Sequence, residues 1–161
     1  MHIVLKIAVK PQVKKYITYK HNTSPFVLTK NNKYGMFLRK CIVRLNDHKK
    51  ESTVKLDSIV YSEELCIRIS EDMWRRIGNY IHPQNQIDFN SFVEMDLQDE
   101  FFKHCDNAIY NKIQIKRSIY DFLDKYDITE DELPFKTMEK QYYREKKKIN
   151  RPNIIFTTNF Y

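Results

Sequence analysis

Residues 65–77, LCIRISEDMWRRI, have the pattern of a strand, a helix start and a helix in immediate succession. Apolar side chains alternate from Leu65 to Ile69, which is the period-two pattern of a strand with one buried face. Ser70 then precedes two acids; a serine hydroxyl caps free backbone amides, and carboxylates in the first turn interact favourably with the helix dipole. The sequence therefore predicts a strand that leads directly into a helix, which is expected to end near Pro83.

A similar order occurs 60 residues earlier, in residues 5–17, LKIAVKPQVKKYI. A shift of 60 positions places the apolar residues of one stretch on those of the other. Pro11 suits the first turn of a helix. We therefore predict an internal repeat of strand, helix and helix within residues 1–104, with one copy at 3–45 and the other at 64–104.

Apolar spacing predicts helices in most of the remaining chain. The second helices of the two repeats are predicted at about 32–45 and 90–104, and residues 105–150 form a helical region whose last helix begins at Phe135. A further strand region is predicted at 53–61. The expected fold class is α+β and mostly helical, with short strands forming a small ribbon or sheet packed with about five or six helices.

The composition excludes several classes of protein. The chain of 161 residues has only two glycines, which excludes the glycine-rich phosphate loops of both the Walker and the dinucleotide-binding type. No apolar run approaches about 18 residues, so no membrane association is expected. The three cysteines, Cys41, Cys66 and Cys105, are an odd number at wide spacing, which disfavours a disulfide framework and favours a cytoplasmic location.

No residue pattern indicates an enzyme. The chain lacks Cys-x-x-Cys and has no histidines four residues apart, so neither a metal site nor another cofactor is expected. Tyr142 and Tyr143 next to basic residues suggest a strand-nicking nucleophile, but such an enzyme needs a metal-binding histidine pair, and no His-x-His is present. We therefore predict no catalytic residue.

Basic residues concentrate at the two ends of the chain. Residues 1–50 hold twelve Lys or Arg against one acid, residues 51–139 ten against nineteen, and residues 140–151 six against one, which gives the formal charge of +7. Like charges within a segment repel, so two basic segments favour a partner with many negative charges, and nucleic acid is the leading candidate. The alternative is that the basic ends pack against the acidic middle and leave a surface of mixed charge.

The order of strand, capped helix, polar loop and helix resembles the ribbon-helix-helix family of DNA-binding proteins. Leu65–Phe102 is the stretch most similar to that family, and Leu5–Ile42 is similar more loosely. The resemblance implies two strands paired as an antiparallel ribbon that lies in the major groove. It also implies that Lys6 and Arg68 point outward from the ribbon and contact bases, since both side chains can bind guanine.

The last third of the chain resembles a helix-turn-helix unit. Ile115–Tyr126 supplies the first helix, residues 127–134 the turn, and the helix from Phe135 onward the recognition element. Basic side chains of both ends of the chain are expected to contact DNA phosphates. They are Lys10, Lys14, Lys15, Lys20, Lys33, Lys40, Lys136, Lys140, Arg144, Lys147 and Lys148.

These features together predict a non-enzymatic protein that binds double-stranded DNA, as a transcriptional regulator or as a replication or maintenance accessory. The overall build is similar to small basic proteins of bacterial mobile elements and phages. The alternative is a protein-interaction module, an inhibitor or an assembly factor, that binds another protein through its acidic middle and its apolar tail, residues 151–161. RNA, single-stranded DNA and a second copy of the chain also stay open as partners.

Overall fold

The structure is a computed structural model that describes residues 2–45 and 54–149. Six helices account for 59% of these described residues, and the strands form a three-stranded sheet and a separate two-stranded sheet. The expected fold class, a mostly helical α+β protein, is therefore confirmed. The elements follow in the order β1 (His2–Val9), α1 (Pro11–His21), β2 (Phe26–Val27), α2 (Lys33–Cys41), β3 (Ile42–Val43), β4 (Glu63–Ser70), α3 (Glu71–Ile77), β5 (Tyr80–Ile81), α4 (Pro83–Tyr110), α5 (Ile115–Tyr126) and α6 (Phe135–Ile149).

The antiparallel pair of β1 and β4 lies at the centre of the sheet. Odd-numbered side chains of both strands, such as Ile7 and Ile67, face the core, because successive residues of a strand point to opposite sides. In the register Lys6 faces Cys66, and these residues are also equivalent under the shift of 60 positions. The ladder is thus centred on two residues that this shift relates to each other. The internal repeat and its limits stay a prediction.

Side chains of α4 cover the free edge of β1. β4 is the middle strand, with β2 paired in parallel on its other side. Gln86 accepts a hydrogen bond from the Ala8 amide at 2.8 Å. Asn90 accepts a hydrogen bond from the Lys10 amide at 2.8 Å and donates one to the Ala8 carbonyl at 3.1 Å. These two amide side chains therefore replace a neighbouring strand at this end of the sheet.

Local sequence signals explain where the first three helices begin. α1 has Pro11 at its first position, where the missing amide hydrogen is not needed. Asn32 caps α2 by accepting a hydrogen bond from the Gly35 amide at 2.6 Å. Ser70 caps α3 by accepting a hydrogen bond from the Met73 amide at 3.2 Å, as the sequence predicts.

α4 carries the core from the sheet to the last two helices. It contributes a buried side chain every four residues from Phe89 to Cys105, so a single stripe faces the other elements over most of its length. With 28 residues this helix is about 42 Å long. The largest fully buried side chains of the core include Tyr16, Phe26, Phe89, Phe101, Phe122 and Tyr142.

α2 and α3 are shorter than the sequence predicts. α2 ends at Cys41 rather than near residue 45, because the next two residues pair as β3 with β5. α3 ends at Ile77 rather than near Pro83, because Gly78 has a φ of 104° and turns the chain into β5. Both differences arise from a strand pair whose partners are far apart in the chain.

α4 is longer than predicted, and one predicted strand is wrong. α4 begins at Pro83 rather than near residue 90, because proline suits the first turn, and it continues to Tyr110. It therefore crosses the predicted boundary between residues 104 and 105. Residues 54–57 are irregular and residues 58–61 form a turn, so the strand predicted at 53–61 is wrong in its described part.

Candidate nucleic-acid interface

A row of basic side chains covers the exposed side of α6. It consists of Lys136, Lys140, Arg144 and Lys147, all of them exposed. Their spacing of three or four residues places them on one side of the helix. None of them forms an ion pair with an acid of residues 2–45 or 54–149. Tyr143 lies on the same side and is 50% exposed, and we call these five residues the α6 face.

The opposite side of α6 holds the helix against α4. Met138 and Tyr142 are buried, and the Tyr142 hydroxyl donates a hydrogen bond to the Asp106 carboxylate at 2.7 Å. Lys146 pairs with the same carboxylate at 2.5 Å. Burial by itself raises the pKa of Asp106, but these two partners outweigh it and lower the pKa. The α6 face is therefore presented by a helix with a fixed position.

Five lysines near the start of the chain have acidic partners within it. The pairs are Lys10 with Glu94 (2.8 Å), Lys14 with Glu63 (2.7 Å), Lys15 with Glu132 (2.8 Å), Lys20 with Glu100, and Lys33 with Asp96 (2.5 Å). The acids belong to α4, to β4 and to the loop before α6, so the pairs join the first two helices to the acidic middle of the chain. This is the packing that the sequence left open as the alternative to nucleic-acid binding.

Two of these acids are held in their charged form. Burial raises the pKa of Glu132, but hydrogen bonds from Lys15 and from the Thr129 amide outweigh it and lower the pKa. Burial likewise raises the pKa of Glu100, and its hydrogen bonds with Lys20 and Tyr126 lower it. Since both carboxylates are ionised at neutral pH, a phosphate would have to displace an internal partner to reach either lysine.

The two predicted base contacts lie on the outward face of the ribbon. Lys6 pairs with Glu64 at 2.9 Å, across the β1 and β4 ladder, and both side chains are largely exposed. Arg68 faces Val4 on the same side of the sheet and has no acidic partner among the described residues. The structure thus places Lys6 and Arg68 on one face of the sheet, and Glu64 lies on the same face.

The remaining predicted phosphate contacts are not brought together. Lys40 is exposed on α2, without an acidic partner in the described chain, and Lys148 pairs with Glu145 at 3.5 Å. Of the eleven predicted contacts, only Lys40 and the four basic residues of the α6 face lack an ion pair with a described acid. The α6 face is the one place where several of these come together on one element.

Two residues of this region are not among the DNA contacts that the sequence predicts. Tyr143 belongs to the α6 face, and its position three residues after Lys140 and four before Lys147 was the available signal. Asp106, which holds α6 to α4, has no local signal because its partners lie more than 30 residues further along the chain. The predicted tail, residues 151–161, lies outside the described residues.

Two further kinds of feature are absent from the part of the chain that the structure describes. The described residues contain no group of three or more His, Cys, Asp or Glu side chains that could hold a metal ion. No helix among them is long and apolar enough to cross a bilayer. Comparisons with protein-family models, with curated proteins and with solved structures gave no match, so the case for a function depends on the side chains described above.

Proposed function

We propose that this protein binds duplex DNA through the α6 face and performs no chemistry on it, as a regulator or as a replication or maintenance accessory. The observation that supports this proposal is the segregation of charge. The lysines of α1 are neutralised by acids of the same chain, whereas the four cations of the α6 face have no acidic partner among the described residues. Unpaired cations on one helix face are the side chains best able to bind phosphates.

The number of unpaired cations sets the expected salt dependence. Each phosphate neutralised by Lys or Arg releases counterions and contributes about 0.9 to the slope of log affinity against log salt concentration. If all four cations of the α6 face contact phosphates, the slope is about −3.6, and affinity falls about 150-fold between 50 and 200 mM salt. Tyr143 can donate a hydrogen bond to the same backbone.

Fluorescence anisotropy tests the proposal directly. Labelled duplex DNA, single-stranded DNA and RNA are titrated with the full chain at two salt concentrations. The variant Lys140→Gln with Lys147→Gln should reduce the duplex salt slope by about 1.8 and weaken binding to all duplex sequences alike. The matched control, Lys30→Gln with Lys55→Gln, removes the same charge from exposed lysines outside α6 and should leave the slope unchanged.

A protein-interaction module is the competing function. The five ion pairs of the basic start of the chain favour it, because they neutralise charge that would otherwise attract nucleic acid. Absence of binding to duplex DNA, single-stranded DNA and RNA near physiological salt would refute the DNA proposal. Equal loss of slope in the α6 variant and in the control would refute the role of the α6 face.

A further inference from the structure

The only tryptophan of the chain lies on the surface rather than in the core. Trp74 is on α3 and is 38% exposed, although tryptophan is a residue whose burial stabilises a core strongly. It lines a groove of about 460 Å³ on the side of the molecule formed by the end of β3 and the end of α3. The other lining residues are Arg44, Leu45, Arg75, Gly78 and Asn79.

Backbone contacts fix the shape of this groove. Gly78 has a φ of 104°, and a Cβ at this position would lie 2.3 Å from the Val43 carbonyl oxygen, so the two segments are in close contact. The Asn79 amide donates a hydrogen bond to the Val43 carbonyl at 3.1 Å. The Arg44 guanidinium donates one to the Arg75 carbonyl at 2.8 Å. The Arg44 guanidinium is therefore held at the groove that Trp74 also lines.

The charge of the groove is positive because of Arg44. Arg75 pairs with Glu71 at 2.5 Å, and Arg76 pairs with Asp72, so the charged residues of α3 neutralise one another. Arg44 is exposed and forms no ion pair with an acid of the described residues. Its guanidinium keeps donors free beyond the bond to the backbone, since arginine has five N–H groups.

We propose that the groove binds one unpaired nucleotide of a nucleic acid, with the base stacked on Trp74 and the phosphate bound by Arg44. An exposed indole stacks on any base, and a guanidinium beside it can bind a phosphate oxygen. The side-chain amide of Asn79, which is exposed, can form a hydrogen bond with the edge of the base. A base within a duplex is stacked on its neighbours and is unavailable, so the groove selects single-stranded or locally opened nucleic acid. This inference rests on the proposed nucleic-acid binding and adds to it the unpaired base as the feature recognised.

The single tryptophan provides a direct measurement. With selective excitation of the indole, the full chain is titrated with an oligodeoxyadenylate of about twelve nucleotides, within the usual size of a single-strand site, with a duplex of equal length, and with AMP. The single strand should quench the fluorescence of Trp74, and the duplex should not. Arg44→Ala should weaken the quenching while the fold, followed by circular dichroism, stays unchanged.

Anisotropy of the labelled oligomers separates this site from the α6 face. Trp74→Ala should weaken binding of the single strand by about 5- to 150-fold, the range expected for loss of one base stack, and leave duplex binding unchanged. Trp74→Phe, which keeps an aromatic ring, should restore most of the affinity.

Three results would overturn the inference. If neither Trp74→Ala nor Arg44→Ala alters single-strand binding while the α6 variant weakens duplex binding, the groove assignment fails and the proposed function stands. If no nucleic acid binds at all, both fail. Quenching by AMP but not by the oligomer would mean that the groove takes a free nucleotide, and it too would overturn the assignment.

Discussion

Truncation of Asn90 tests whether an amide side chain replaces a strand at the edge of the sheet. The side chain is 1% exposed and makes three hydrogen bonds to backbone groups. Two of them join it to β1: it accepts from the Lys10 amide and donates to the Ala8 carbonyl. The variant Asn90→Ala removes both hydrogen bonds, so that the Lys10 amide and the Ala8 carbonyl lose their partner.

The expected loss of stability follows from the two backbone groups that lose their partners. Each buried polar group left without a hydrogen bond costs about 1–3 kcal/mol, so the loss of two partners should lower the free energy of unfolding by about 2–6 kcal/mol. A domain of this size has a total stability of about 5–15 kcal/mol, so a large part of it would be lost. Ser91→Ala is the control, because Ser91 is exposed on the same helix and bonds only to the Ile87 carbonyl. It should change stability by no more than about 0.5 kcal/mol.

Urea unfolding followed by circular dichroism measures both variants. At an unchanged slope of about 2 kcal/mol per molar urea, the midpoint of Asn90→Ala should fall by about 1–3 M relative to the wild type. Hydrogen exchange should show the Lys10 amide losing protection first. A midpoint for Asn90→Ala that lies within error of the Ser91→Ala midpoint would refute the idea that Asn90 replaces a strand at the edge of the sheet.

Three further predictions concern other parts of the chain. The His21 Nε2 atom is buried and has no hydrogen-bond partner within residues 2–45 and 54–149. Burial lowers the pKa of this histidine below its usual 6.5, so its contribution to stability is complete above pH 6.5 and is lost as the pH falls through the folded-state pKa. Thermal melts between pH 7 and pH 5 should show this decline, and His21→Phe should flatten it. Gly78→Ala should lower stability by about 2–4 kcal/mol in urea, because the new methyl group meets the backbone of β3 and the residue has a positive φ; a loss below about 0.5 kcal/mol would contradict the close contact. Lys14→Gln with Lys15→Gln should leave the salt slope of duplex binding unchanged, since both lysines already have carboxylate partners, and a slope reduced by about 1.8 would show that they contact phosphates after all.

Elements with local signals could be predicted from the sequence. The bounds of α1 follow from Pro11 and from the apolar face of the helix, and the start of α3 follows from Ser70. The alternation of β1 and β4 gave both strands and the face that each of them buries. Each of these features depends on residues that are close to one another in the chain, so the local sequence pattern is enough to predict it.

Features that depend on distant partners could not be predicted. The early end of α2 at Cys41 requires the pairing of β3 with β5, whose residues are almost 40 positions away. The ion pair of Lys15 with Glu132 spans 117 positions, so a count of charges along the chain could not show which lysines are neutralised. For the same reason the sequence predicts phosphate contacts at both ends of the chain, whereas the candidate site in the structure consists of the α6 face alone.

The position of β4 has a consequence for biosynthesis. β4 is the middle strand of its sheet, and both strands that pair with it precede it in the chain. While the first 60 residues emerge from the ribosome, β1 and β2 therefore have no partner, and their apolar side chains depend on α1 and α2 for cover. Closing the ladder also joins positions almost 70 residues apart, which is a slow step by the usual relation between contact order and folding rate. During this interval the unpaired strands of the nascent chain can pair with other chains. The interval ends only when β4 is synthesised.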